Sequence, residues 1–263
     1  DLLLRYLAGL ADEDIVHIPF PAYLWRRDGS SYSIAFIERA TAHARAALGE
    51  AYGDELGPCL VVPGLRDEYH RIDLVGRKKN WPKVSVIIPS RDSYDLIHRL
   101  LNDLMHRTDY PDLEVIVVDN GSVDQRVLDL YELMRRKHPN FRAEVDPAPF
   151  NFSRQVNKGI EIAQGDAILL LNNDIEVRDA GWLKEMAACL EYPRAGVVGP
   201  RLFYPDGSYQ HVGVIVGLGL VAGHWYDGFP AKEIGIMARL THRQSLSAVT
   251  GACMLISKAC LSD

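Results

Sequence analysis

From residue 83 onward the chain alternates short, continuously apolar runs with longer segments whose apolar positions recur at helical spacing, and few folds accept that alternation. VSVIIP (84–89), LEVIVV (113–118) and AILLL (167–171) carry almost no polar interruption, as expected of strands buried on both faces. Between the first two, Leu96, Ile97, Leu100, Leu101, Leu104 and Met105 form one helical stripe behind Ser93, which stands where a cap belongs. A second helix is expected over 124–137, ending before Pro139, and FRAEV (141–145) reads as a short strand. Ser153 is expected to cap a third helix, with Gly165 at its C′ position. A fourth helix over about 179–190, a short strand at 196–199 and another at 211–216 continue the series. Strand and helix in this order make βαβ units with right-handed crossovers, and therefore an α/β fold with a mostly parallel, doubly wound sheet.

Residues 1–82 read differently. A helix is expected over 1–10, an extended stretch over 17–27, a turn at Asp28-Gly29-Ser30 and an amphipathic helix near 32–48. Residues 49–82 lack sustained periodicity, and GRKKNWPK has the character of an exposed linker whose basic residues form a solvated face. The 263 residues fall between one large domain and two ordinary ones. A net charge of −6 with 48% hydrophobic residues excludes a disordered chain and argues against a nucleic-acid binder, which needs a basic footprint. The longest apolar stretch, 211–223, is too short and Gly-rich to span a bilayer, and no leader pattern opens the chain, so a cytoplasmic protein is expected. Cys59, Cys189, Cys253 and Cys260 are scattered without a CxxC pair, as free thiols in a reducing compartment would be.

Ligands of open α/β sheets bind at the carboxyl ends of the strands. There the sequence sets Pro89-Ser90-Arg91-Asp92, Asp119-Asn120-Gly121-Ser122 and Asn172-Asn173-Asp174. Such residues also end strands and cap helices, so turn chemistry explains any one cluster. Three together, each bringing an acid, suit a crevice for a divalent cation, Mg²⁺ or Mn²⁺, and a polyphosphate ligand. There is no GxxxxGK[ST], which excludes a P-loop. Residues 217–222 match GxGxxA, but Gly223, Gly228 and Pro230 follow where a dinucleotide site requires a helix, so a Gly-rich turn is the expectation. His211 and His224 are open to two readings, a further metal ligand or a hydrogen-bonded histidine beside the sheet. Trp182 and Trp225 are read as packing residues rather than sugar platforms.

VSVIIPSRDS, VIVVDNGSVD, FNFSRQVNKGIEIAQGDAILLLNNDIEV, YQHVGVIVG and VTGACMLISK, in that order, resemble bacterial glycosyltransferase family 2 over residues 83–263. They are most similar to the rhamnosyl- and other transferases of surface-polysaccharide assembly. The resemblance implies a GT-A fold, a UDP-, GDP- or dTDP-linked sugar donor, a divalent cation, inversion at the anomeric carbon, and a polysaccharide or lipid-linked acceptor, with peripheral association at the inner face of the membrane. It implies that residues 89–92 flank the nucleoside, that Asp119 hydrogen-bonds the base, and that Gly121-Ser122 lets the backbone pass close to it. It puts Asn157 and Lys158 on the helix facing the donor, and Thr250-Gly251-Ala252 near the transferred sugar and acceptor. Asn172-Asn173-Asp174 matches the DxD position with Asn in place of its first Asp, which leaves Asp174 as the metal ligand and weakens metal affinity.

The family's catalytic base, an Asp or Glu shortly after the TGAC segment, is expected beyond Asp263. Residues 1–27 resemble the tail that follows that stretch in a preceding transferase domain, with 28–82 as the join, so the sequence reads as a piece of a longer tandem protein. Two alternatives stay open: a sugar-nucleotide-binding module without turnover, and a sugar-1-phosphate nucleotidyltransferase. The second would want a Gly-rich loop after the first strand, and PSRDS lacks the glycines.

Overall fold

The computed structural model describes residues 10–11, 37–65 and 69–261, in two compact units. The expectations for residues 1–9, 17–27 and 28–30, and for the first residues of the 32–48 helix, lie outside the described residues.

One unit holds the chain up to residue 77 together with 241–243. Helix α1 (Ile37–Leu56) runs well past the expected end at residue 48. Gly49 does not stop it, and the returning chain passes beside it at Cys59. Strands β1 (Val61–Pro63) and β2 (His70–Ile72) then form an antiparallel ladder, followed by the short helix α2 (Leu74–Arg77). The stretch 49–82 is thus more ordered than its lack of periodicity suggested.

The other unit, 78–240 with 244–263, is built on strands β3 (Val84–Ser90), β4 (Leu113–Asp119), β5 (Phe141–Val145) and β6 (Ala167–Leu171). Helices α3 (Tyr94–Asn102), α4 (Gln125–Lys137) and α5 (Phe152–Ile162) separate them, and α6 (Trp182–Cys189) follows. Then come β7 (Val197–Val198), β8 (Leu202–Phe203), β9 (Tyr209–His211), β10 (Val214–Val216), β11 (Ala222–His224) and β12 (Cys253–Ser257).

The central sheet has the order β5-β4-β3-β6-β12-β7, with β5, β4, β3 and β6 parallel and β12 antiparallel to both its neighbours. Alternate residues of each strand feed two cores. Val84, Val86 and Ile88 pack with α3, α4 and α6 on one face, while Ile87, Ile116 and Ile168 pack with α5 on the other. This is the doubly wound α/β arrangement expected. The chain winds outward from β3 to β5 and returns to β6 on the other side of β3, so the strand order reverses between β3 and β6, where such folds open their ligand crevice.

Several local expectations are corrected. Ser93 precedes α3 but makes no capping bond; its hydroxyl donates to the Arg91 carbonyl. The third helix is capped by Asn151, whose side chain accepts from the Arg154 N–H at 3.0 Å, not by Ser153. Gly165 is not a C′ residue: α5 ends at Ile162, and a Cβ on Gly165 would lie 2.7 Å from the Ser85 backbone nitrogen. The single strand expected at 211–216 breaks at Gly213, whose φ of 119° a residue with a side chain rarely adopts. GRKKNWPK is not a free linker either. Lys78 pairs with Glu191 at 2.6 Å, and Trp81 packs edge-on against Tyr110.

Candidate functional site

The carboxyl ends of β3, β4 and β6 carry the polar clusters into contact with one another. Asp119, the last residue of β4, is fully buried. Its carboxylate accepts from the Ser122 N–H at 2.6 Å, the Ser122 hydroxyl at 2.5 Å and the Tyr131 hydroxyl at 2.9 Å. Burial first, and the neighbouring Asp119 charge second, raise the Tyr131 pKa well above the usual phenol value, so this hydroxyl stays a donor. Gly121 turns with φ 75° and packs against Pro147.

Ser122 also accepts from the Asp92 N–H at 2.8 Å, and Asp92 in turn accepts from the Val123 and Asp124 N–H groups at 2.6 and 2.9 Å. Those two backbone bonds, Asp124 first, hold the Asp92 carboxyl below its ordinary range. Asp92 takes a left-handed φ of 46° to make this brace. The loops after β3 and β4 are thereby one unit, joined again by Asn120 N–H to the Ser90 carbonyl at 2.9 Å.

The switch point itself is bridged by Asn173, which donates from Nδ2 to Ser90 Oγ at 3.1 Å. Asn172 N–H donates to the Ala252 carbonyl at 2.9 Å, tying the same segment to the Thr250-Gly251-Ala252 turn. The Thr250 N–H donates to His211 Nε2 at 3.3 Å, and His211 meets His224 through their Nδ1 atoms at 3.2 Å. Burial, then the neighbouring His224, push the His211 pKa down to about 4, so it stands as a neutral acceptor. The segment after β6 is held from below by buried Asp103, which accepts from the Val177 N–H at 3.0 Å. Asp103 opens a π-helical turn at the end of α3.

Pro89, Ser90, Arg91, Asp92, Asp119, Gly121, Ser122, Asn172, Asn173, Thr250, Gly251 and Ala252 therefore belong to one connected network or flank it. Lys158 lies at its edge, 3.7 Å from Asp146. Asn157 is exposed and makes no hydrogen bond to the cluster. Asp174 is exposed, with no ion pair among the described residues. No group of three or more His, Cys, Asp or Glu side chains converges among the described residues, and His224 bonds to His211 and the Gln210 carbonyl rather than to Asp174.

Some participants escaped the sequence reading. Asp146, buried, follows β5 and takes a forked pair of bonds from Arg154 at 2.8 and 3.0 Å. Asn120 donates to the Asp146 and Ala148 carbonyls, while its Oδ1 is buried without a partner. Gln155 Nε2 is likewise buried and unpaired. The strand-end rule applied to FRAEV would have found Asp146. Nothing local marks Tyr131, twelve residues from Asp119.

A mostly parallel α/β sheet with braced polar loops at its switch point is the class of fold that takes its ligands at the carboxyl ends of the strands. Comparison makes it particular. Residues 85–260 match the family described as Glycosyl transferase family 2. The chain is 37% identical over 263 residues to the protein y4gI of Sinorhizobium fredii (strain NBRC 101917 / NGR234) and 33% identical over 262 residues to the O-antigen biosynthesis protein RfbC of Myxococcus xanthus. Each alignment takes in 98% of this chain but only 28% and 20% of those proteins, so the chain spans less than a third of the relatives it matches. Among solved structures, the mannosyltransferase PcManGT of Pyrobaculum calidifontis, in complex with GDP-Man and Mn²⁺, is similar with a TM-score of 0.43 and 21% identity, over 65% of this chain and 47% of that one. The chain belongs to glycosyl transferase family 2, and its sheet is the GT-A arrangement.

Proposed function

We propose that residues 83–263 move a sugar from a nucleoside-diphosphate donor to a polysaccharide or lipid-linked acceptor, with inversion at the anomeric carbon. The observation that carries this is the Asn173–Ser90 bridge across the switch point, with the loops after β3 and β4 braced beside it. Family membership supports sugar transfer, and the kinship with an O-antigen biosynthesis protein supports a surface polysaccharide as the product.

In this reading the loops 89–92 and 119–122 cradle the nucleoside; Asp119, expected to hydrogen-bond the base, is buried with both carboxylate oxygens engaged by Ser122 and Tyr131, and holds the second loop in shape from beneath. Asn157 and Lys158 face the donor from α5. The residue types after β6 suit a hard cation: Asp174 offers a carboxylate without an ion pair among the described residues, and Asn172 and Asn173 just before it offer amide oxygens. Asp174 with those amides would hold Mg²⁺ or Mn²⁺, which when bound neutralises charge developing on the departing diphosphate. With a single carboxylate, the site depends on donor phosphates to complete the coordination. Thr250, Gly251 and Ala252, pinned by His211 and Asn172, border the sugar and acceptor. The acceptor hydroxyl needs a carboxylate base on the opposite face, supplied outside these residues. No helix among the described residues is long and apolar enough to cross a membrane. The reading puts the work in the cytoplasm, at the inner membrane face for a lipid-linked acceptor.

Calorimetry with UDP, GDP and dTDP in the presence of Mn²⁺ tests it. Binding of one of them, weakened by Asp174→Ala, is expected. Silence toward all of them sinks the proposal, and donor binding without transfer in the full-length protein would leave a binding module instead.

A further inference from the structure

Beyond the β6 crevice, the chain gathers positive charge on a small aromatic cluster. Phe203 in β8 pairs across the ladder with Tyr209 in β9, and their rings stack at 5.3 Å and 29°. Tyr209 covers one side of the Phe203 ring. Two guanidiniums converge on what remains: Arg178 with its Cζ 5.5 Å from the ring centroid, and Arg201 with its Cζ at 6.0 Å. A third, Arg239, lies 5.2 Å from the Trp225 ring of the same apolar cluster.

All three arginines are exposed, and none forms a salt bridge among the described residues. Arg201 donates to the Leu240 carbonyl and Arg239 to Gln244, while among the described residues Arg178 meets only the ring. The acids of the neighbouring turns are engaged elsewhere. Asp206 accepts from Ser208, Asp227 from Tyr204, and Glu233 from the Gly235 N–H. A guanidinium held over an aromatic ring keeps N–H groups for an acceptor, and Arg201, which spends one on the Leu240 carbonyl, retains others. Like charges brought to one ring repel one another, and an oxyanion that accepts from both removes that penalty.

The position ties this patch to the site. In the β8–β9 register Leu202 stands opposite His211, which holds the Thr250 N–H. Arg178 follows directly on Val177, the residue anchored by Asp103. The patch thus borders the turn that the proposed function assigns to the acceptor.

We propose that Arg178 and Arg201, with Arg239 at their edge, form an acceptor-side subsite for a phosphate group, so that the acceptor is a phosphorylated glycan or carrier. This rests on the transferase reading for its meaning but not for its test. The donor's own diphosphate has the same chemistry and must be told apart.

Inorganic phosphate is titrated at constant ionic strength into the whole chain, following the arginine Nε–Hε signals by NMR, without and with UDP or GDP plus Mn²⁺. The expected result is a shift of the Arg178 and Arg201 signals and unchanged phosphate affinity when nucleotide is bound. Arg178→Gln and Arg201→Gln should each weaken phosphate about tenfold, the worth of one charge-assisted bond, with the melting temperature unchanged in Arg178→Gln and lowered in Arg201→Gln, which also loses the bond to the Leu240 carbonyl. Arg136→Gln, an exposed arginine on α4, should change nothing. Phosphate affinity equal to wild type in both arginine variants overturns the subsite. Displacement of phosphate by the nucleotide gives the arginines to the donor and overturns the acceptor assignment. Silence of the nucleotides counts against the transferase reading alone, because the phosphate titration is read separately.

Discussion

Glu114 and Asp119 are the second and the last residues of β4, and both are buried, at 3% and 0% exposure. Their surroundings differ completely. Glu114 binds Ser85 of β3, Arg142 of β5 and the Gln164 N–H after α5, so it knits neighbouring elements into a closed network. The Asp119 carboxylate binds its own loop and the helix that follows, through Ser122 and Tyr131. At the amino end of the sheet every partner is a neighbour in the fold. At the carboxyl end the carboxylate shapes a loop that runs out to the exposed Val123. The buried unpaired atoms follow the same division: Asn120 Oδ1 sits directly after β4, and Gln155 Nε2 lies in the first turns of α5. One strand therefore separates a structural end from the end to which the proposed function assigns the nucleotide, and the difference lies in where the bonds go, not in which residue types are present.

Replacing the two carboxylates is the strongest way to break this contrast. Glu114→Ala strips a buried ion pair and should cost about 3 kcal/mol of stability, read by urea unfolding, while leaving nucleotide affinity intact in the folded protein. Asp119→Ala should cost about as much, by orphaning the Ser122 and Tyr131 donors, and should also abolish nucleotide binding in calorimetry. Equal losses of affinity in both variants would erase the distinction.

Asp174→Ala isolates ligand chemistry from folding. Its exposed carboxylate should be worth less than about 0.5 kcal/mol in stability, yet its loss should weaken Mn²⁺-dependent nucleotide binding by about tenfold or more. Gly165→Ala probes the opposite end. The added methyl meets the Ser85 backbone nitrogen at 2.7 Å and should destabilise by about 1–3 kcal/mol without touching affinity.

Acid should act on the structural end too. Although burial alone would raise it, bonds from Ser85 and the Gln164 N–H and the charge of Arg142 hold the Glu114 carboxyl below its ordinary range. As pH falls, the unfolded chain takes up the proton first. The stability contributed is complete above the ordinary carboxylate pKa and is lost as pH drops through it toward the lower folded value. Melting curves of wild type and Glu114→Gln should converge below that window, and curves that stay parallel would contradict the assignment.

The strands were legible because β-branched runs buried on both faces leave a mark that needs no partner to interpret. The polar clusters were legible because strand ends in this fold are also loop starts, which singles out Ser90, Asp119 and Asn173 from the sequence alone. What stayed hidden was set by contacts distant in sequence. Asn151 and Ser153 are equally good caps as residue types, and only the way the chain leaves β5 selects Asn151. Gly165 looks identical whether it ends a helix or lets Ser85 approach. The brace from Asp92 to the Val123 and Asp124 N–H groups joins loops thirty residues apart, and no periodicity announces it. Phe203 and its arginines were invisible for the same reason, since Arg178 and Arg201, far apart in sequence, come together only at that one ring.

The central claim is that a nucleotide engages the carboxyl ends of β3, β4 and β6 and leaves the amino ends alone. Hydrogen–deuterium exchange of the chain with and without UDP or GDP and Mn²⁺ measures this directly. Slowed exchange confined to residues 90–92, 120–124 and 172–174, with no change around 83–85, 114 and 164–166, is the predicted result. Protection at the Glu114 end, or none at the three loops when nucleotide is bound, would contradict it.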